Sequence, residues 1–251
     1  MARHVIRPIP LMKSKGMTYK YSSLMTYLVG FDSLEEHGGY IWYIQGPAEN
    51  IIVDAGTDVS TLPPRPVISP FTDSKPENIQ SVEDGLSKVG LRPEDIDIVI
   101  LTHMHEDHAQ LARKYTKAKF IVQEAELKFA RNPHPAQHFP YLKDPFDDIN
   151  FEVIEGDKKI VDGVSVILTP GHSAGGQSVI IETAKGIAII AGFCCIRRNF
   201  EPPAGAATPV IPPGILLDTV QAYESVLKVK ELADIVIPLH DSEFLEVDRI
   251  P

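Results

Sequence analysis

The chain has 251 residues, 43% of them hydrophobic and 23% charged, and its 24 Lys and Arg against 34 Asp and Glu leave a formal net charge of −10. That composition excludes a mainly disordered chain, and the acidic balance argues against a nucleic-acid partner, because the densest basic stretches, Arg113 to Lys119 and Arg197-Arg198, are short. No apolar run reaches 18 residues and the first residues lack a secretory pattern, so no membrane partner and a cytoplasmic location are expected, with the adjacent Cys194 and Cys195 as thiols.

Taken in chain order, His37 lies between Glu35-Glu36 and Gly38-Gly39 and reads as part of an exposed turn. Residues 40–45 and 50–54 are β-rich runs joined through Gly46 to Glu49, a hairpin pattern. From Pro63 to Pro76 the chain is rich in Pro, Ser, Thr and Asp and reads as a long irregular connection. Val82, Leu86 and Val89 are spaced by four and three, which predicts a short helix stopped by Gly90. Residues 96–101 form an almost continuous apolar run, as in a strand covered on both faces. Beyond a His-rich segment come a helix around 109–115, a strand at 119–123 and a helix at 124–130. Strands follow at 156–160, 164–168, 177–182 and 186–191, then a helix at 219–228 and a short strand at 234–238. Helices recur after strands in both halves, which predicts an α/β protein of two sheets covered by outer helices, read as one domain over residues 1–251.

The strongest chemical signal directly follows the apolar run: Thr102-His103-Met104-His105-Glu106-Asp107-His108. In an extended segment, residues two apart leave the backbone on the same side, so His103 and His105 point together. Asp107 and His108 begin the next helix, where neighbours diverge by about 100°. Four ligand-capable groups within six residues point to a metal. Imidazole and carboxylate suit zinc, manganese, iron or cobalt, with zinc the commonest in His-rich hydrolytic sites.

With its H-x-H-x-D-H pattern, this segment resembles the signature of the metallo-β-lactamase superfamily. Other elements resemble that family in order: Asp54-Ala55-Gly56 at a strand end, Thr169-Pro170-Gly171-His172-Ser173, and Pro238-Leu239-His240-Asp241. His172 lies 64 residues after His108, and His240 a further 68 after that. The resemblance implies a four-layer αβ/βα sandwich. It also implies one metal held by His103, His105 and His172, a second held by Asp107, His108 and His240, and Asp54 orienting the ligands from behind.

One landmark departs from the family pattern. After the strand at 187–190 the family usually places Gly-Asp, whose carboxylate bridges the metals, whereas this chain reads Gly192-Phe193-Cys194-Cys195. Cys194 is then either a displaced ligand or a small buried hydrophobe, and the site holds one or two divalent ions, with zinc, manganese and iron all open. A divalent cation makes water nucleophilic near neutral pH, and Asp107 is placed to carry a proton.

The lead-in Arg92-Pro93-Glu94-Asp95-Ile96-Asp97 and the overall length resemble the quorum-quenching N-acyl homoserine lactonases. That branch usually has a Tyr where this chain has Ile196. The expected activity is therefore hydrolytic opening of a small cyclic carbonyl compound, lactone-like but with a different substrate. A C–C bond hydrolase acting on a cyclic β-diketone is a second reading, and a non-catalytic or redox member a third. Phe193, Arg197 and His138 are the expected substrate contacts, with Arg198, His134 and Tyr141 nearby. The expected partner is a small molecule, and homodimerisation is left open.

Overall fold

The computed structural model describes residues 4–14, 19–20, 25–29, 34–46, 48–62, 76–137, 140–142, 144 and 146–251. One sheet is built from β1 (Val5–Ser14), β4 (Gly38–Gln45), β5 (Ile51–Val53), β6 (Pro76–Asn78), β7 (Ile98–Ile100), β8 (Lys119–Gln123) and β9 (Phe151–Ile154). Its seven strands run in the spatial order β6-β1-β4-β5-β7-β8-β9. A second sheet takes β10 (Lys158–Val161), β11 (Val164–Leu168), β12 (Gln177–Thr183), β13 (Gly186–Ala191) and β14 (Ile235–Pro238), in that order. A short pair, β2 (Tyr19–Lys20) and β3 (Leu34–Glu35), stands apart.

Period-two alternation explains how the sheets stack. Tyr40, Trp42, Ile44, Ile51, Val53, Ile100 and Ile121 leave the seven-stranded sheet on one face and join a cluster with Val179, Ile181 and Ala188 of the other sheet. Their neighbours Ile41, Ile52, Val99, Leu101, Phe120 and Val122 leave on the opposite face. There they meet Val82 and Leu86 of α1 (Val82–Ser87) and Leu127 and Ala130 of α3 (Glu124–Arg131). The further helices are α2 (Glu106–Ala109), α4 (Arg197–Phe200) and α5 (Thr219–Leu232), and α5 buries Val226 and Val229 over the five-stranded sheet. The architecture is the αβ/βα sandwich that the resemblance implied. Among the described residues no helix is long and apolar enough to cross a membrane.

Several elements differ from the sequence reading. β1 escaped it because Pro8 and Pro10 interrupt the run, and proline removes a ladder donor. In the β1–β4 register Pro8 faces Trp42 and Pro10 faces Tyr40. Ile6 has the same parity, and its N–H points away from β4 to the Ile250 carbonyl. Both prolines therefore sit where no bond to β4 is lost. The helix expected at 109–115 is instead α2 followed by a 3-10 turn at Ala112–Lys114. Of the connection expected from Pro63 to Pro76, residues 63–75 lie outside the described residues, and Pro76 opens β6.

The strand directions place the site. β5 and β7 are parallel neighbours, and β11, β13 and β14 run in a common direction within their sheet. Asp54, Thr102, Thr169, Gly192 and Leu239 all lie just beyond the carboxyl ends of these strands. Gln177 stitches the sheets together below that edge, its Nε2 donating to the carbonyls of Leu101 (2.8 Å) and Ile121 (3.2 Å).

Trp42 is the anchor of the inter-sheet core, fully buried with ring centroids 5.0 Å from Tyr40 and 5.2 Å from Phe244. Trp42→Ala is expected to lower unfolding free energy by about 3–5 kcal/mol, measured by chemical denaturation. A loss below about 1 kcal/mol would contradict this packing.

Candidate metal centre

The loop after β7 and the start of α2 deliver four ligand-capable side chains to the strand-end edge, and the loops after β11 and β14 deliver His172 and His240. They form two groups: His103, His105 and His172, and Asp107, His108 and His240. Within each, the ligand atoms lie within 4.8 Å of one another. The groups adjoin, with the His103 and His108 rings 4.2 Å apart.

Each ring is aimed by what its outer nitrogen touches. Asp54, at φ +63, accepts the Thr102 N–H (2.7 Å), the Thr102 hydroxyl (2.9 Å) and His108 Nδ1–H (2.8 Å). The Thr102 proton is thus committed to Asp54, so its oxygen, 3.0 Å from His103 Nδ1, serves there as acceptor. His172 Nδ1 donates to the Ile215 carbonyl at 2.6 Å and His240 Nδ1 to the Gly38 carbonyl at 3.0 Å. Four rings therefore carry their proton on Nδ1 and present Nε2 inward. His105 is held by packing, its ring 4.7 Å from that of Tyr141.

The inward nitrogens fit a cation. Nε2 of His105 is buried with no hydrogen-bond partner, and that of His108 faces the Asp107 carboxylate at 3.2 Å. His103 Nε2 and His172 Nε2 face each other at 3.2 Å, two lone pairs directed at one point. Burial pushes His103 and His105 well below the ordinary imidazole range, His172 to about 4, and His240 down as well, so all four are neutral and ready to ligate at pH 7. Burial acts the same way on His108, but the carboxylates of Asp107 and Asp54 outweigh it and push that ring up to about 10. A cation entering the second group therefore displaces a proton from His108. Burial works against the Asp107 carboxylate, but the charged His108 ring beside it outweighs that and holds its carboxyl well below the usual carboxylate range.

Above these groups opens a cleft of about 630 Å³. Its walls are largely apolar, from Met12, Met25, Val59, Leu62, Pro140 and Ile215, with Thr57, Glu106, His37 and Cys194 adding polar atoms.

A family model described as the metallo-beta-lactamase superfamily matches residues 34–192. The chain belongs to that superfamily. An N-acyl homoserine lactonase of Bacillus cereus is 36% identical over 119 residues, which cover 46% of this chain and 46% of the relative. The N-acyl homoserine lactonase of Bacillus thuringiensis is 28% identical over 213 residues, 84% of this chain and 80% of its own. A solved N-acyl homoserine lactone hydrolase, holding the product N-hexanoyl-L-homoserine at its catalytic metal centre, superposes with a TM-score of 0.72 at 25% identity. That superposition covers 97% of this chain and 95% of the other. The chain's two ligand groups are in keeping with its superfamily membership.

The expected substrate contacts are placed differently. Phe193 does not reach the cleft: it is 1% exposed, inside the inter-sheet core, with its ring 6.0 Å from Phe200. Phe193 and Cys195 both join the core, and Cys194 between them lines the cleft. The Cys194 sulfur lies 3.5 Å from that of Met25, outside both ligand groups, and burial pushes its thiol pKa well up. Arg197 is also withdrawn. Its guanidinium pairs with Glu243 and reaches the Val236 carbonyl, and its N–H donates to Asp241. Arg198 and His134 do not line the cleft, Tyr141 backs His105, and His138 lies outside the described residues.

His37 is the residue that sequence reasoning missed. Far from being an exposed turn, it is buried, lines the cleft and stands edge-on to His240 at 6.1 Å. Its flanking Glu and Gly residues imitate a turn, and the pairing of residue 37 with Asp241 and the bonds of its backbone to Ser14 bring it in.

Two outcomes follow. His103→Ala should abolish metal uptake by the three-histidine group, and His240→Ala uptake by the other, read as metal per chain after dialysis. Phe193→Asp, by placing a carboxylate in the core, should cost several kcal/mol of stability without adding metal; a stable variant with extra metal would show that residue 193 faces the cleft after all.

Proposed function

We propose that this protein hydrolyses a small, uncharged cyclic carbonyl compound, lactone-like, in the cleft above the two ligand groups. The observation that carries the reading is the adjacency of two pre-aimed ligand groups at the floor of an apolar cleft. The donor set favours a divalent cation, zinc first and manganese or iron next. Such a cation, when bound, supplies Lewis acidity that polarises a carbonyl and makes water nucleophilic near neutral pH. His103, His105 and His172 would hold one ion, and Asp107, His108 and His240 the other.

Asp107 is the residue assigned to the proton. Its carboxylate, partly open to the cleft, stands 3.2 Å from His108 Nε2 and 3.7 Å from His240 Nε2. As an anion beside the reacting atoms it can accept a proton from the attacking water and return it to the ring oxygen as the ring opens. The walls set the substrate: no Lys or Arg is among the described residues lining the cleft, while two carboxylates are, which disfavours an anionic substrate. The apolar side, including the thioethers of Met12 and Met25, suits a hydrocarbon arm. The lactonases named above support ring opening at a metal centre. Free buried thiols favour a cytoplasmic location.

The test is a panel of lactones with neutral or carboxylate-bearing arms, with cyclic β-diketones beside them, assayed by proton release on zinc-, manganese- and iron-loaded protein. Neutral lactones are expected to give the highest kcat/KM. Asp107→Asn should cut turnover of the best of them by about 10²–10⁴ at saturating metal. Preference for the carboxylate-bearing arms, or full turnover by the variant, would refute the reading.

A further inference from the structure

Glu126 belongs to neither ligand group, yet it is 0% exposed. On α3 it shares the inward face with Leu127 and Ala130, where helical periodicity calls for an apolar side chain. A carboxylate so placed is tolerated only if donors replace its lost hydration. Three do so. Its Oε1 accepts the Met104 N–H at 2.9 Å and the Tyr141 hydroxyl at 3.2 Å, and its Oε2 accepts the Gly175 N–H at 2.9 Å.

Those donors are distributed in a particular way. Met104 lies between His103 and His105, and Gly175 lies three residues after His172. Tyr141 pairs with His105 in a β-bridge and packs against its ring. One carboxylate therefore ties together the two loops that carry every imidazole of the first group. The approach is close enough to require glycine: a Cβ on Gly175 would stand 2.4 Å from the Glu126 backbone nitrogen. The second group has separate supports, Asp54 for His108 and the Gly38 carbonyl for His240.

We propose that Glu126 is a positioning residue for the three-histidine group: it fixes the spacing between the His103–His105 loop and the His172 loop, and so sets the affinity of that group for a divalent cation. This rests on the metal-centre reading above. Because all three partners donate, both oxygens must accept. A glutamine amide can satisfy one loop but turns N–H toward N–H at the other.

The experiment titrates cobalt(II) into metal-free protein, followed by visible absorption and chelator competition. Glu126→Gln is made in a His240→Ala background, which retains the three-histidine group, and in a His103→Ala background, which retains the other. In the first background cobalt affinity is expected to fall about 10–100-fold, and in the second to stay within about twofold. Equal affinity with and without the substitution in the first background would overturn the role of Glu126, as would an equal fall in both. If the unsubstituted protein bound no cobalt, the metal-centre reading itself would fall. Amide exchange in the metal-free wild-type protein decides the matter should the variant not fold. The Met104 and Gly175 N–H groups should exchange slowly, since the clamp precedes the metal, and fast exchange of both would overturn it.

Discussion

Five imidazoles buried at the bottom of one cleft are a severe constraint, because each ring loses its hydration while its inner nitrogen points into a shared cluster of ligand atoms. Such a cluster keeps one geometry only if the outer nitrogens and the loops behind them are held. Asp54, the Ile215 carbonyl and the Gly38 carbonyl do this for His108, His172 and His240, and Thr102 relays the hold of Asp54 to His103. Asp54 does so from a left-handed backbone conformation that Asp adopts more readily than most residues. Much of the structure around the centre is scaffolding for these few bonds.

The sandwich supplies the convergence. Parallel strands end on the same edge of each sheet, so loops distant in sequence meet there, and open α/β sheets commonly bind ligands at that edge. Packing the two sheets face to face brings one edge against the other, and Gln177 bonds across just below the site. Gly192 shows how tight this is, since a Cβ there would stand 1.7 Å from the Gln177 carbonyl oxygen. That close approach fixes the path of the chain as it leaves β13. With Phe193 then in the core, the residue facing the metal groups is Cys194, an uncharged thiol.

The cleft has a consistent electrostatic character. Its floor gathers imidazoles and two carboxylates, its walls are thioethers and aliphatic carbons, and the Arg197 guanidinium turns away to Glu243. A cation at the floor would be the main positive charge in reach of a substrate, so polar recognition and activation would fall to the same ion. Binding elsewhere in the cleft would be mostly burial of apolar surface.

The local segments were legible in the sequence because short-range physics sets them. An almost continuous apolar run marked β7, β-rich runs the hairpin of β4 and β5, and the spacing of His103, His105, Asp107 and His108 the metal chemistry. Distant ligands were legible only as echoes of a family pattern, since nothing local to His172 or His240 distinguishes them from ordinary histidines. What tertiary structure alone decided depended on contacts between segments far apart in the chain. β1 reads as broken until its prolines are seen to sit where the backbone N–H would point away from β4. His37 reads as a turn until Asp241 pairs with it, and Glu126 reads as one more helical glutamate until the loops of His103 and His172 close on it. Phe193 and Arg197 read as cleft residues by their nearness to the altered landmark. Sequence nearness does not say which side of the backbone a side chain leaves from, and here the competition for core space and for Glu243 settled it.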